Sequence, residues 1–205
     1  MSSSDPKQLR NAAAFPSAIA HLNRAGSIGQ QIALLERAWA MLEVWSLNVD
    51  APVSRLSNAW LGEQDWRIQI APQRAMWEPE SVAALAAFAA RHGHTELLGT
   101  SAEPSARRNT AVWRVPSNAE DISRFFESHF WEFSILFPAD LSFAIHCTDG
   151  DFGTYAGPES FLREALPPEA IGPRATAAAI AYVNPELTEA DWEDFLGPYR
   201  PFMIG

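Results

Sequence analysis

The chain has one cysteine, Cys147, one lysine, Lys7, and three tyrosines in 205 residues. A lone cysteine closes no internal disulfide and supplies no Cys-rich zinc site. Apolar stretches are short. The run Ile135-Leu136-Phe137 near the middle falls far below the roughly 20 residues that a membrane span needs. The start, Met1-Ser2-Ser3-Ser4-Asp5, has neither the basic nor the apolar region of a secretory leader, so the expected address is a reducing cytosol. The phosphate loops G-x-G-x-x-G and G-x-x-x-x-G-K-[ST], the nucleophile elbow G-x-S-x-G and the metalloprotease pair H-E-x-x-H are all missing. Activities that depend on those motifs are excluded; enzymes in general are not.

Hydrophobic residues make up 47 % of the chain and include eight Trp and twelve Phe, so it buries a core and is not disordered. Charge is distributed unevenly. Residues 1–100 hold eight basic and nine acidic side chains, whereas residues 101–205 hold seven and sixteen. Nearly all of the net −10 therefore sits in the second half. Such a field repels nucleic-acid phosphates and anionic membranes and attracts a basic protein.

Periodicity outlines the elements. Ser27 and Gln30 have capping-box spacing, and Ile28, Ile32, Leu35, Trp39, Leu42 and Trp45 form the stripe of a helix ending before Asp50-Ala51-Pro52. Residues 54–62 add a helical turn carrying Trp60. Trp66 to Ile70 alternates as a strand does, and Pro79 opens a helix that stops at Arg91-His92-Gly93. Two strands are expected at 95–100 and 110–115. Ser117 and Glu120 then cap a helix over 118–133 whose face is Ile122, Phe125, Phe126, His129, Phe130 and Phe133. Leu141 to Ala156 reads as a hairpin turning at Asp149-Gly150, a pair suited to a two-residue type I′ turn. A short helix follows from Glu159 to Leu166. Residues 175–183 suit a helix or a buried strand, and Thr188 with Asp191 caps a last helix, with Leu187 and Trp192 as its hydrophobic staple.

The order β-α-β-β-α-β with an extra strand predicts an α+β fold: a ferredoxin-like split βαββαβ core, an antiparallel sheet with helices on one face. Residues 1–62 would form a lead-in and helical extension packed on that core. Residues 63–205 would form the core itself with acidic C-terminal helices, the whole folding as one unit.

Candidate chemistry is sparse. A two-residue turn would pair Cys147 with Phe152 and His146 with Gly153, leaving His146, Thr148, Asp151 and Tyr155 on one polar face. On that face Asp151 would orient the His146 imidazole as a general base, and Tyr155 would donate to an oxyanion. Cys147 would point to the other face as a small core residue. His92 and His94 have ligand-like spacing, but their place at a helix end gives them an ordinary role beside the dipole. His129 on an apolar face reads as a hydrogen-bonded core histidine. Asp149-Gly150-Asp151 lacks the Glu twelve positions along that a calcium loop requires, since Ser160 stands there.

The acidic run Glu186, Glu189, Asp191, Glu193 and Asp194 contains no basic residue and carries Trp192, with Phe195, Tyr199 and Phe202 beyond. Carboxylates beside aromatic anchors suit a basic protein partner. The leading expectation is thus a non-catalytic, cytosolic protein-binding module without metal or cofactor, for example an immunity-type inhibitor of a cationic toxin. The alternative is a small hydrolase or isomerase using His146, Asp151 and Tyr155.

Overall fold

The structure is a computed structural model, and it describes residues 22–45, 53–72, 78–106, 110–128, 133–148, 152–182 and 189–205. Its centre is a seven-stranded, wholly antiparallel sheet in the order β1-β6-β5-β7-β8-β9-β4. The strands are β1 (Asn23–Arg24), β4 (Arg67–Pro72), β5 (Glu96–Ser101), β6 (Trp113–Pro116), β7 (Ser134–Phe137), β8 (Ala144–Cys147) and β9 (Phe152–Gly157). A separate hairpin pairs β2 (Leu42–Trp45) with β3 (Val53–Leu56).

Both faces of the large sheet are covered, which corrects the expectation of helices on one face. On one face Leu97, Leu136, Phe143, Ile145 and Tyr155 pack against α3 (Pro79–Arg91), α4 (Ala119–Ser128) and α5 (Glu159–Ala165). On the other, Ile68, Ile70, Leu98, Ile135, Phe137 and Phe152 pack against α1 (Ile28–Ala40), the β2–β3 hairpin, α2 (Asn58–Glu63) and the end of α7 (Glu189–Leu196). The central strands are therefore buried on two sides: β7, β8 and β9 are buried at every position, whereas β6 alternates buried and exposed. Residues from before and after position 62 share one apolar cluster.

The α+β class holds, but β7 is an additional strand between α4 and the β8–β9 hairpin, and the strand neighbours differ from the ferredoxin-like arrangement. One split βαβ is present: β6, α4 and β7 flank β5, with β6 and β7 both antiparallel to it. β5 holds the place between β6 and β7 that the ferredoxin-like order gives to the first strand, and that strand, β4, lies at the far edge beyond the β8–β9 hairpin. That edge is closed. The Ile204 N–H bonds the Ile68 carbonyl at 3.2 Å, and α6 (Pro173–Tyr182) packs along β4 through Thr176 and buried Gln69. Gln69 donates to the Thr176 hydroxyl at 3.0 Å and accepts the Gly172 N–H at 2.7 Å, so the buried polar group of this edge strand is satisfied within the chain. Residues 173–182 are helical, which settles the choice left open for that stretch.

Local signals explain the remaining agreements and shifts. The Ser27–Gln30 capping box forms with both reciprocal bonds, at 3.4 and 2.7 Å. Helix α1 nevertheless stops at Ala40, with Met41 as its cap, and residues 42–45 become a strand instead of a fourth turn. Leu42 and Trp45 fit a helical stripe equally well; pairing with residues 53–56 decides the matter. Ser117 does not cap α4, because its hydroxyl donates to the His94 carbonyl at 2.6 Å. Asn118 takes that role and accepts the Asp121 N–H at 2.9 Å. Phe133, expected on the α4 face, lies in the extended run before β7 and packs on the opposite side of the sheet.

Within α4, Ile122, Phe125 and Phe126 are buried while Arg124 and Glu127 are exposed, as the periodicity requires. Phe126→Ala is therefore expected to cost about 3–5 kcal/mol and Glu127→Ala under about 0.5 kcal/mol in equilibrium urea unfolding. Equal costs would mean that the buried face is misassigned. His129 and Phe130 lie outside the described residues, as does the Asp149-Gly150 turn.

Candidate functional site

The hairpin register determines which of the suspected catalytic residues can meet. Thr148 closes it: its N–H and hydroxyl both donate to the Phe152 carbonyl, at 3.0 and 2.8 Å. His146 then faces Thr154 and Cys147 faces Gly153, one residue later on β9 than a two-residue turn would give. A shift of one position moves every side chain of that strand to the other face. Tyr155 accordingly lies with Ile145 and Cys147 beneath the α3–α5 helices, and Phe152 joins the face that carries His146. The sheet separates the imidazole of His146 from the phenol of Tyr155. Asp151, the third residue of the expected grouping, is outside the described residues.

Each residue has a different occupation. His146 is 1 % exposed, and its Nε2 lies 3.0 Å from the Ser54 hydroxyl in a hydrogen bond whose donor is set by the imidazole tautomer. Burial holds its pKa down at about 3, so the ring is neutral. Tyr155 is buried as well. Its phenol is pushed well above the ordinary range by burial first, then by nearby Cys147 and Glu78. A neutral, enclosed imidazole and a phenol that resists ionisation fit structural roles better than proton transfer with a substrate.

His92 and His94 are likewise engaged. His92 stacks on Phe88 with ring centroids 4.3 Å apart and lies 3.7 Å from the Glu164 carboxylate. His94 meets the edge of Phe143, and its Nε2 is 3.5 Å from the Ser142 hydroxyl. Among the described residues no group of three or more His, Cys, Asp or Glu side chains is placed to hold a metal ion. His21 and His129 are outside the described residues.

The acidic C-terminal run is divided by the fold. Glu186 is outside the described residues, and Glu189 and Asp191 are placed on α7 by backbone alone. Trp192 is half-buried and packs against Phe152 and Phe195, with centroids 6.0 and 6.3 Å apart, so it anchors α7 to the sheet. Phe195 and Tyr199 are core residues. Exposed Glu193 pairs with Arg200, a cation seven positions further along the chain, and Asp194 is exposed.

A partly buried charged cluster on the hairpin was not apparent from the sequence. Arg55 Nε donates to Glu43 Oε1 at 2.6 Å, and the guanidinium lies over Trp45 and Tyr199, 5.4 and 5.8 Å from their rings. The Tyr199 hydroxyl donates to the Leu56 carbonyl at 2.8 Å. Glu43 and Arg55 are twelve positions apart, and only the β2–β3 register makes them neighbours.

No helix among the described residues is long and apolar enough to cross a membrane. No protein-family model matches the sequence, and no curated protein or solved structure matches the chain.

Proposed function

We propose that this chain is a non-catalytic protein-binding module whose acidic second half takes a basic protein partner. An immunity-type inhibitor of a cationic toxin is one concrete form of that reading. The supporting observation is how little positive surface the second half retains. Arg114, Arg124, Arg163 and Arg200 are each paired with a carboxylate, at Glu96, Glu120, Glu159 and Glu193 respectively, which leaves exposed Arg174 as the one unpaired arginine of that half among the described residues. Exposed Glu127, Glu169 and Asp194 face no cation among the described residues. Their summed field would steer a basic protein into encounter and repel nucleic-acid phosphates. A reducing compartment accompanies this reading, since the one thiol is buried and forms no disulfide.

The test is capture from an extract of the native cell on immobilised protein, with salt raised from about 50 to about 500 mM to shorten the screening length. The partner is expected to be basic, and its capture to fall steeply with salt. A variant carrying Glu127→Lys, Glu169→Lys and Asp194→Lys should bind more weakly at low salt and approach wild type at high salt. A neutral or acidic partner, or retention indifferent to salt, would end the electrostatic reading.

A further inference from the structure

The hydrogen bond between His146 and Ser54 crosses the interface between the large sheet and the β2–β3 hairpin. His146 belongs to β8, in the middle of the sheet, and Ser54 to β3; both side chains are 1 % exposed. From the surrounding elements, β7 presents Ile135 and β9 presents Thr154 as register neighbours of His146. Phe133 lies with its ring centroid 6.2 Å from the imidazole. None of these groups carries charge. Glu43 and Arg55, the charged pair of the hairpin, are one residue out of phase with the cross-strand pair Val44 and Ser54, and so occupy its other face with Trp45. Among the described residues no carboxylate pairs with the imidazole; that of Glu103, the one next to Phe133, accepts the Phe133 backbone N–H at 3.2 Å.

We infer that His146 is an acid-sensitive latch: proton uptake on its ring favours release of the β2–β3 hairpin from the large sheet. The energetics follow from burial. With the hairpin docked the ring is held at a pKa of about 3, and burial is the whole cause. Once it is exposed by hairpin opening, the ring returns to the ordinary value of about 6.5. The folded-state pKa is depressed and the group is a base, so the closed form is favoured above pH 6.5 and loses ground as pH falls below it. Between pH 8 and pH 5 the opening constant should rise about 30-fold.

Amide hydrogen exchange, corrected for the intrinsic pH dependence of exchange, reads this directly. Amides of residues 42–45 and 53–56 should be less protected than those of β7 and β8 at every pH. Their protection should fall about 30-fold from pH 8 to pH 5, and in His146→Gln that fall should vanish. Equal protection of hairpin and sheet would show that only global unfolding exposes the ring and would overturn the latch, as would a fall that survives in His146→Gln. If that variant does not fold, imidazole NMR signals of the wild-type chain decide. A ring that stays neutral below pH 5 in the closed form supports the latch, and titration near 6.5 with the hairpin still protected overturns it.

Discussion

Phe125→Ala and Gly99→Ala should each destabilise the protein, and the double variant should be more stable than the sum of the two losses. Phe125 is fully buried on α4 and lies directly above Gly99 in β5. A methyl group at position 99 would stand 2.6 Å from Phe125 Cζ, closer than real side-chain contacts allow. The glycine is therefore required by close approach of helix and strand, the packing that seats α4 across the split βαβ unit. Removing the ring should cost about 3–5 kcal/mol through lost transfer energy and a cavity. Adding the methyl should cost about 1–3 kcal/mol, because ring and strand must move apart. With both changes the methyl enters the space that the ring vacated, so a favourable coupling of about 1–2 kcal/mol is expected from denaturant unfolding of the four proteins. Additive losses would mean that α4 does not rest on β5 at this point.

The same helix shows what was legible in the sequence and where legibility ended. Its apolar stripe requires only local spacing, so Ile122, Phe125 and Phe126 could be assigned to the core directly. Pro79 at the first turn of α3 and the Ser27–Gln30 box are equally local. Long-range pairing left weaker traces. Strand β7 is a central strand, yet Ile135-Leu136-Phe137 has no alternation because both of its faces are buried. A short apolar run of this kind is the signature of an interior strand, and it was the available signal. Without it, the α4 pattern runs on through Phe133 by spacing alone.

The separation of Tyr155 from His146 has a related cause. Asp149-Gly150 announces a turn, but the length of the connection is set by the Thr148–Phe152 closure, which sequence spacing does not encode. One residue of difference was enough to put Tyr155 on the opposite face of the sheet from His146. The burial of His146 depends on a hairpin more than ninety residues earlier in the chain. Charge, in contrast, is additive over the sequence. The acidic surplus of the second half is therefore the part of the functional reading that needed no contact information.

The Glu43–Arg55 pair gives the second large effect, and its sign depends on which partner is removed. The Arg55 side chain is 11 % exposed and that of Glu43 is 33 % exposed. The guanidinium directs Nε to Glu43, while its Nη1 is buried without a hydrogen-bond partner among the described residues. Glu43 is thus the carboxylate that balances a cation held between Trp45 and Tyr199. Glu43→Ala leaves that cation uncompensated and should cost about 2–4 kcal/mol. Arg55→Lys keeps the charge but loses the planar stacking and the directed Nε bond, so it should also destabilise the fold. Replacing both residues, as Glu43→Leu with Arg55→Met, removes the desolvation cost together with the attraction and keeps most of the apolar volume. That double variant should be more stable than Glu43→Ala and lie within about 1–2 kcal/mol of wild type. Thermal and denaturant unfolding of the three variants at one pH would decide. If Glu43→Ala proves harmless, solvent already screens Arg55 and the pair contributes little to holding the β2–β3 hairpin in place.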